Sequence, residues 1–516
     1  MERISIKKLN NLYNKFHQEE QKVCNYVSEK YNYLNLSVHF SRDQRDFDKS
    51  NYKLLSYINS QKKINQNFSI NNKEEITVFR KYLLSFKEYY YLPSVRLPIT
   101  FLIDILKFGR QIVDVIGIIL IISISKLIDI LLNHKNKEIN IRNKKIYSIY
   151  YWNKKKTKSA KYYYPGINHS NHDLVFISSF ADSKFFSFGL IHSKINTDFL
   201  SPAKMLNLRG LLKSILQLIH LFLYDLLKPI YEENCSFLSF WVGWKKTAEI
   251  FYSILTYNSL IFLTRQSKNC EFVSWHENQV TNRSFALGVS YVNRKKSSNT
   301  LTTFNGSLFT QHIKKQFLPL SSEFKIGFWG DKYYLQDEGS LKEMISYFKK
   351  NNISIPLEVV ERPMIRTQIN LQNKNREIKI SRDITIFTHS TYWDLIACVL
   401  SIFNNHNQPL QHKKLVNKKI HIRLHPALTK VKALEEIKKI NEIKQYNNFE
   451  FIDNKKESFY TSLSLCKYSI FGESSYINLA LEHESYVFAV DTNHINQSPI
   501  KAELINSPNL NFISPW

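Results

Sequence analysis

The sequence predicts an α/β protein built as two doubly wound halves, and three observations carry that reading. From about Lys145 onward, short apolar segments of strand length alternate with segments of helix length. The alternation stops once, at the polar and basic stretch Glu361–Arg382, and then restarts. A chain of 516 residues is too long for one compact core, and its 43 % apolar residues supply a core to each half. Two Rossmann-like halves joined by a linker follow from this pattern, behind a long N-terminal part.

Residues 1–96 form a polar extension rich in Asn, Lys and Tyr, with short helical-looking stretches such as Leu9–Lys30. Asp46-Phe47-Asp48 has the spacing of a metal-binding DxD, a motif that needs a buried strand directly before it. Ser41–Arg45 is polar instead, so the segment reads as a solvated loop and no metal site is expected. Residues 97–144 are an apolar helical segment. Its uninterrupted run lies between Asp114 and Lys126, short of the roughly 20 residues that a spanning helix needs. A second apolar helix, 206–230, spaces Leu211, Leu212, Ile215, Leu218, Ile219 and Phe222 at helical intervals, with Arg209, Lys213 and Lys228 beside them. Both read as amphipathic, either as helices lying on an anionic membrane surface or as core helices of a helical subdomain.

The first half, 145–365, offers strands at Ile146–Trp152, Leu174–Ser179, Ser259–Leu263, Glu271–Trp275 and Thr300–Phe304. After the linker 366–382, the second half, 383–516, offers Ile384–Thr388, Lys419–Arg423, Phe449–Ile452, Tyr468–Phe471 and Tyr486–Val490. Neither GxGxxG nor GxxxxGK[ST] occurs, which disfavours dinucleotide redox chemistry and P-loop phosphoryl transfer.

Basic residues exceed acidic ones by 71 − 44 = 27, a balance that attracts anions. The charge is spread along the chain and no RNP, KH or zinc motif accompanies it, so no nucleic-acid partner is expected. The five cysteines form no CxxC pair, which fits a reducing compartment. Charged residues fill Met1–Lys8 where a signal peptide needs an apolar run. The expected location is cytoplasmic, with peripheral attachment to the inner face of the cell membrane.

Ligands of open α/β sheets bind at the carboxyl ends of the strands, so strand exits are where chemistry is sought. Ile420-His421-Ile422-Arg423-Leu424-His425-Pro426 is a strand ending in His-Pro. It delivers His425 to the crevice, and Pro426 stops the strand there. Tyr468–Phe471 runs into Gly472-Glu473-Ser474-Ser475-Tyr476 and an apolar helix. Gly472 then permits a tight turn, and Ser474 and Ser475 cap the helix and face an anion. In the first half, Glu271–Trp275 ends at His276-Glu277-Asn278-Gln279. Glu277 is placed to act as general base on an acceptor hydroxyl, with His276 assisting. Gln311 and His312 add polar groups after the strand Thr300–Phe304, on the acceptor side with Asn278 and Gln279.

Taken together, these residues resemble GT-B glycosyltransferases, and more narrowly bacterial surface-carbohydrate biosynthesis proteins of the O-antigen and capsule type. The likeness runs from about Lys145 to the C-terminus. It rests on Trp275–Gln279, Gly306–His312, Gly330, the helix Ser340–Lys350, Glu361-Arg362-Pro363, and the His425-Pro426 and Ser474-Ser475 pairs. The last two pairs are also similar to those of transferases using CMP-activated acidic sugars, such as sialyl and Kdo transferases. The resemblance implies two Rossmann-like domains facing a cleft and a transfer that requires neither cofactor nor metal. The donor nucleotide sugar would sit in the second domain, and a glycan or lipid-linked acceptor in the first. It implies that Arg423, His425, Pro426, Gly472, Ser474 and Ser475 hold the donor phosphate. Leu479 stands where such families carry a ribose-binding Glu, and Glu482 follows almost a turn later. In the sialyltransferases an acidic pair before Gly supplies the base, and Asp337-Glu338-Gly339 has that form, so Asp337 stands beside Glu277 as a candidate. Two other functions remain open: a CDP-glycerol or ribitol type of polyol-phosphate transferase, and a non-catalytic membrane-associated scaffold of polysaccharide assembly.

Overall fold

The structure, a computed structural model, describes residues 97–131, 141–151, 164, 173–180, 198–221, 247–276, 280–293, 298–305, 330–335, 338–360, 380–389, 392–403, 419–425, 428–438, 448–454, 456–472, 474, 476–490, 500 and 504–513. Among the described residues it is a mixed α/β protein with two large parallel sheets and a separate two-stranded parallel pair. The first sheet contains β2 (Lys145–Tyr151), β3 (Leu174–Phe180), β4 (Phe199–Leu200), β6 (Glu271–His276), β7 (Thr300–Asn305), β8 (Lys332–Leu335) and β9 (Leu357–Val359). Their order across the sheet is β4-β3-β2-β6-β7-β8-β9. The chain therefore starts in the middle, steps outward twice, and returns to build the other side. Every neighbouring pair is parallel. The second sheet repeats the plan with β10 (Arg382–Phe387), β11 (Ile420–Arg423), β12 (Phe449–Phe451), β13 (Cys466–Phe471), β14 (Tyr486–Val490) and β15 (Leu510–Ile513), in the order β12-β11-β10-β13-β14-β15. This 3-2-1-4-5-6 arrangement, extended in the first sheet by β9 as a seventh strand, is the doubly wound order, with its switch point between β2 and β6 in one sheet and between β10 and β13 in the other.

Both faces of each sheet are covered, which explains the near-continuous apolar strands. In the first sheet Ile146, Phe176, Phe272 and Leu301 face a core shared with α4 (Thr247–Gln266) and α5 (Val280–Asn293). The alternate residues Tyr147, Ile149, Ile177, Val273, Trp275 and Phe304 pack on the opposite face around Tyr164. In the second sheet Ile384, Ile386, Ile420, Ile422 and Ile470 face α7 (Tyr392–Phe403) and α8 (Lys430–Lys438). Phe387, Phe471, Val487 and Ala489 turn toward α9 (Phe459–Leu465) and α10 (Tyr476–Glu482). Gly330, at φ +73°, brings its α-carbon against the Leu301 carbonyl as the chain enters β8.

Several expectations are corrected. Ser259–Leu263 is not a strand; it lies within α4, which is buried on almost every side between the sheet and an outer helical layer. A helix wrapped this fully shows no apolar stripe, and a five-residue window of it reads like a buried strand. The strands begin before Lys145, since β1 (Ile141–Arg142) pairs with β5 (Ser267–Lys268). β10 opens at Arg382, inside the segment read as linker. The strands β4, β8, β9 and β15 were not foreseen. Three of them are sheet edges of two to four residues, too short for a periodic signal. Among its described residues the 97–144 segment holds one helix, α1 (Leu97–Leu131), which continues through both Asp114 and Lys126 and from Phe108 to Ile128 is, by length and composition alone, apolar enough to cross a bilayer, unlike the short uninterrupted run counted in the sequence. The 206–230 segment holds α3 (Leu208–His220), preceded by the single turn α2 (Pro202–Met205). Residues 222–230 lie outside the described residues, as do 1–96 with Asp46-Phe47-Asp48.

Candidate functional site

The exits of β10, β11 and β13 converge at the switch point of the second sheet. Thr388 joins the first two: its N–H donates to Arg423 O (3.1 Å), and its hydroxyl accepts from the N–H of His425 (2.9 Å). His389, the next residue, faces His425 across the exits, with ring centroids 6.0 Å apart and planes at 42°. Asp394, 4 % exposed in the first turn of α7, reaches back and accepts the N–H of His389 at 2.7 Å. An acid in the third helical position that caps the loop before it serves the helix start. On the other side of β10, the Asp394 carboxylate lies against Gly472. A Cβ added to Gly472 would stand 1.7 Å from Asp394 Oδ1. Gly472 is therefore needed for this close approach, and its φ is not in the left-handed region.

Burial holds the His425 imidazole below its usual pKa; His389 pushes the same way and Asp394 opposes them. This favours the neutral form of His425. A neutral imidazole offers one N–H to a phosphate oxygen and takes up a proton when the anion arrives. His421, two strand positions before Arg423, is likewise held low by burial and by Arg382. Its Nε2 lies 3.6 Å from Glu450 on the neighbouring β12.

The sequence-predicted donor residues separate in this geometry. His425 and Gly472 stand at the switch point. Arg423 is engaged elsewhere: its Nη1 donates to Glu457 O (3.0 Å) and Ser462 Oγ (2.8 Å). Glu457 also pairs with Arg382 through two charge-assisted bonds, one of them 2.7 Å from Nη2 to Oε2. Arg423 thereby anchors the start of α9. Ser474 is buried, and its Oγ accepts from Tyr476 N at 3.3 Å, so the hydroxyl serves its own short helix. Glu482 ends α10, about 9 Å along the axis from its first residue. Pro426 and Ser475 lie outside the described residues. His389 and Asp394 were missed, although the rule that singled out His425 applies to them: Thr388-His389 is also a polar exit from an apolar strand, with an acid in the helix that follows.

In the first sheet, β6 ends at His276, which pairs with Asn305 at the end of β7. Immediately below this exit, Trp275 stacks on Phe304 (5.1 Å, 24°) and Tyr164 meets both edge-on. The Tyr164 hydroxyl donates to Ser148 O (2.5 Å), with Val273 O sharing the same proton at 3.2 Å, which ties β2 to β6 across the switch point. Glu277 follows His276 in sequence; it lies outside the described residues, together with Asn278, Gln279, Gln311, His312 and Asp337. Asp337 directly precedes α6 (Glu338–Lys350) in the chain. Among the described residues no three His, Cys, Asp or Glu side chains cluster as a metal site. No protein-family model matches the chain, and no curated protein matches its sequence.

Proposed function

We propose that the chain is a glycosyltransferase of the GT-B type, with two Rossmann-like domains, moving a sugar from a nucleotide-activated donor to a surface-polysaccharide or lipid-linked glycan. The observation that carries this reading is the meeting of His389, His425 and Asp394 at the switch point of the second sheet, where doubly wound proteins bind nucleotides. In this reading the two imidazoles receive the donor phosphate, and each N–H strengthens its bond as the leaving oxygen gains charge. Asp394 fixes the His389 backbone and accepts part of the positive charge that develops. The acceptor hydroxyl attacks the anomeric carbon, its proton passes to a carboxylate at the first sheet's exits, and the nucleotide departs with the bonding pair. Glu277, next in sequence to the end of β6 at the other switch point, is the carboxylate we assign to that role, and Asp337 is its rival.

Incubation of the purified protein with CMP-, UDP- and GDP-linked sugars, and separately with CDP-glycerol, tests the reading by product analysis. Sugar transfer supports it, and polyol-phosphate transfer alone overturns it. Glu277→Gln should keep donor binding while transfer falls by about 10² to 10⁴. Full activity in Glu277→Gln, with loss in Asp337→Asn, would move the base to Asp337.

A further inference from the structure

We propose that α1 and α3 form one docking face on which the protein lies against an anionic lipid bilayer without crossing it. Each helix has two apolar sides. The inner side of α1, through Val115, Ile118 and Ile122, belongs to the same core as Phe251 and Ile254 of α4. Its outer side presents Val113, Ile116 and Leu120 to solvent, Leu120 at 53 % exposure. α3 repeats the division: Leu211 and Leu218 point inward, while Leu212, Leu216 and Ile219 point outward, Leu212 at 58 %. The two helices touch each other, and both rest on α4, so their outer stripes lie side by side on one layer. Single exposed apolar residues need no explanation, but two adjoining helical stripes are a contact surface.

Geometry excludes a span for α1 despite its length. Gln111 Oε1 accepts the N–H of Ala248 at the start of α4 (3.1 Å), and Lys126 Nζ donates to Lys204 O (3.3 Å). Both ends of the apolar stretch are thus fastened to elements that cover the first sheet, and crossing would expose that core. Charge selects the occupant. α3 contains no acidic residue and exposes Arg209 and Lys213 beside its apolar stripe, and Arg110 is exposed on α1. A basic rim along an apolar stripe is the chemistry of a helix lying in the headgroup region of anionic lipid. This inference stands apart from the nucleotide reading and does not require it.

Flotation of the full chain with vesicles of phosphatidylcholine, alone and with phosphatidylglycerol added, tests it. The substituted side chains are exposed, and circular dichroism verifies that each variant is folded. The protein should float with the anionic vesicles. Ile116→Asp with Leu120→Asp, and Leu212→Asp with Leu216→Asp, should each weaken binding by about tenfold or more. Arg209→Glu with Lys213→Glu should remove the preference for phosphatidylglycerol, and alkaline carbonate should release the wild type. The proposal is overturned by no binding to either vesicle, by binding that both Asp pairs leave intact, by resistance to carbonate, or by self-association through this face in the absence of vesicle binding. Nucleotide titration of the same samples reports on the enzyme reading separately.

Discussion

His425 shows how one side chain combines fold and chemistry. Its strand's register places it at the exit, Thr388 fixes its backbone, and burial lowers its pKa. An anion bound there raises the imidazole pKa, so the affinity for a nucleotide should increase as pH falls through the ordinary histidine range near 6.5, levelling off below the free-state value. Titration calorimetry at several pH values measures this, and the slope should flatten in His425→Ala. The same depression has a stability consequence. The unfolded chain takes up protons on His421 and His425 at a higher pH than the native state does, so stability declines as pH drops below about 6.5. Gly472 makes the neighbouring point by sterics. Gly472→Ala would force a methyl group into the Asp394 carboxylate and should cost about 1–3 kcal/mol in urea unfolding, while displacing the His389 loop that Asp394 holds. The His-Pro exit was legible because a histidine after an alternating apolar strand is a local signal. The contact of Asp394 with Gly472, 78 residues away in sequence, is not local, and no window of the chain contains both.

At the scale of elements, α4 is the helix on which the first half's outer layer depends. Asn258, buried near its middle, donates to Ser214 Oγ (2.8 Å) and Gln217 Oε1 (2.7 Å), both on α3. Asn258→Ala removes both bonds and leaves the buried Ser214 hydroxyl and the half-buried Gln217 amide of α3 without that donor. We expect about 1–3 kcal/mol of destabilisation by chemical denaturation, and earlier proteolysis of α3 than of the sheet. Most strands were legible, since β2, β3, β6, β7 and the central strands of the second sheet fall within a residue or two of the expected positions. α4 was not, because its burial on nearly all sides erases the periodicity by which a helix is recognised. The partners of Arg423 were hidden for a related reason. Its place on an exit strand was correctly read, but the guanidinium's partners, Glu457 and Ser462, come from a segment more than thirty residues later.

For the whole molecule, the repeated outward-and-back strand order is the main result, because it produces two switch points, the positions at which doubly wound sheets bind ligands. The sequence shows that strands and helices alternate; it does not show that each sheet starts in its middle, which depends on pairings between segments far apart in the chain. One switch point carries a histidine pair over a buried carboxylate; the other carries the β6 exit above an interlocked aromatic group. The central claim is that the first of these binds the phosphate of a nucleotide. Calorimetric titration of the wild type and of the His389→Ala and His425→Ala variants with CMP, UDP and GDP derivatives tests it most directly. The account predicts binding of a pyrimidine nucleotide that weakens about 10- to 100-fold in each folded variant. It is contradicted if the folded wild type binds none of these nucleotides, or if both variants bind as tightly as the wild type.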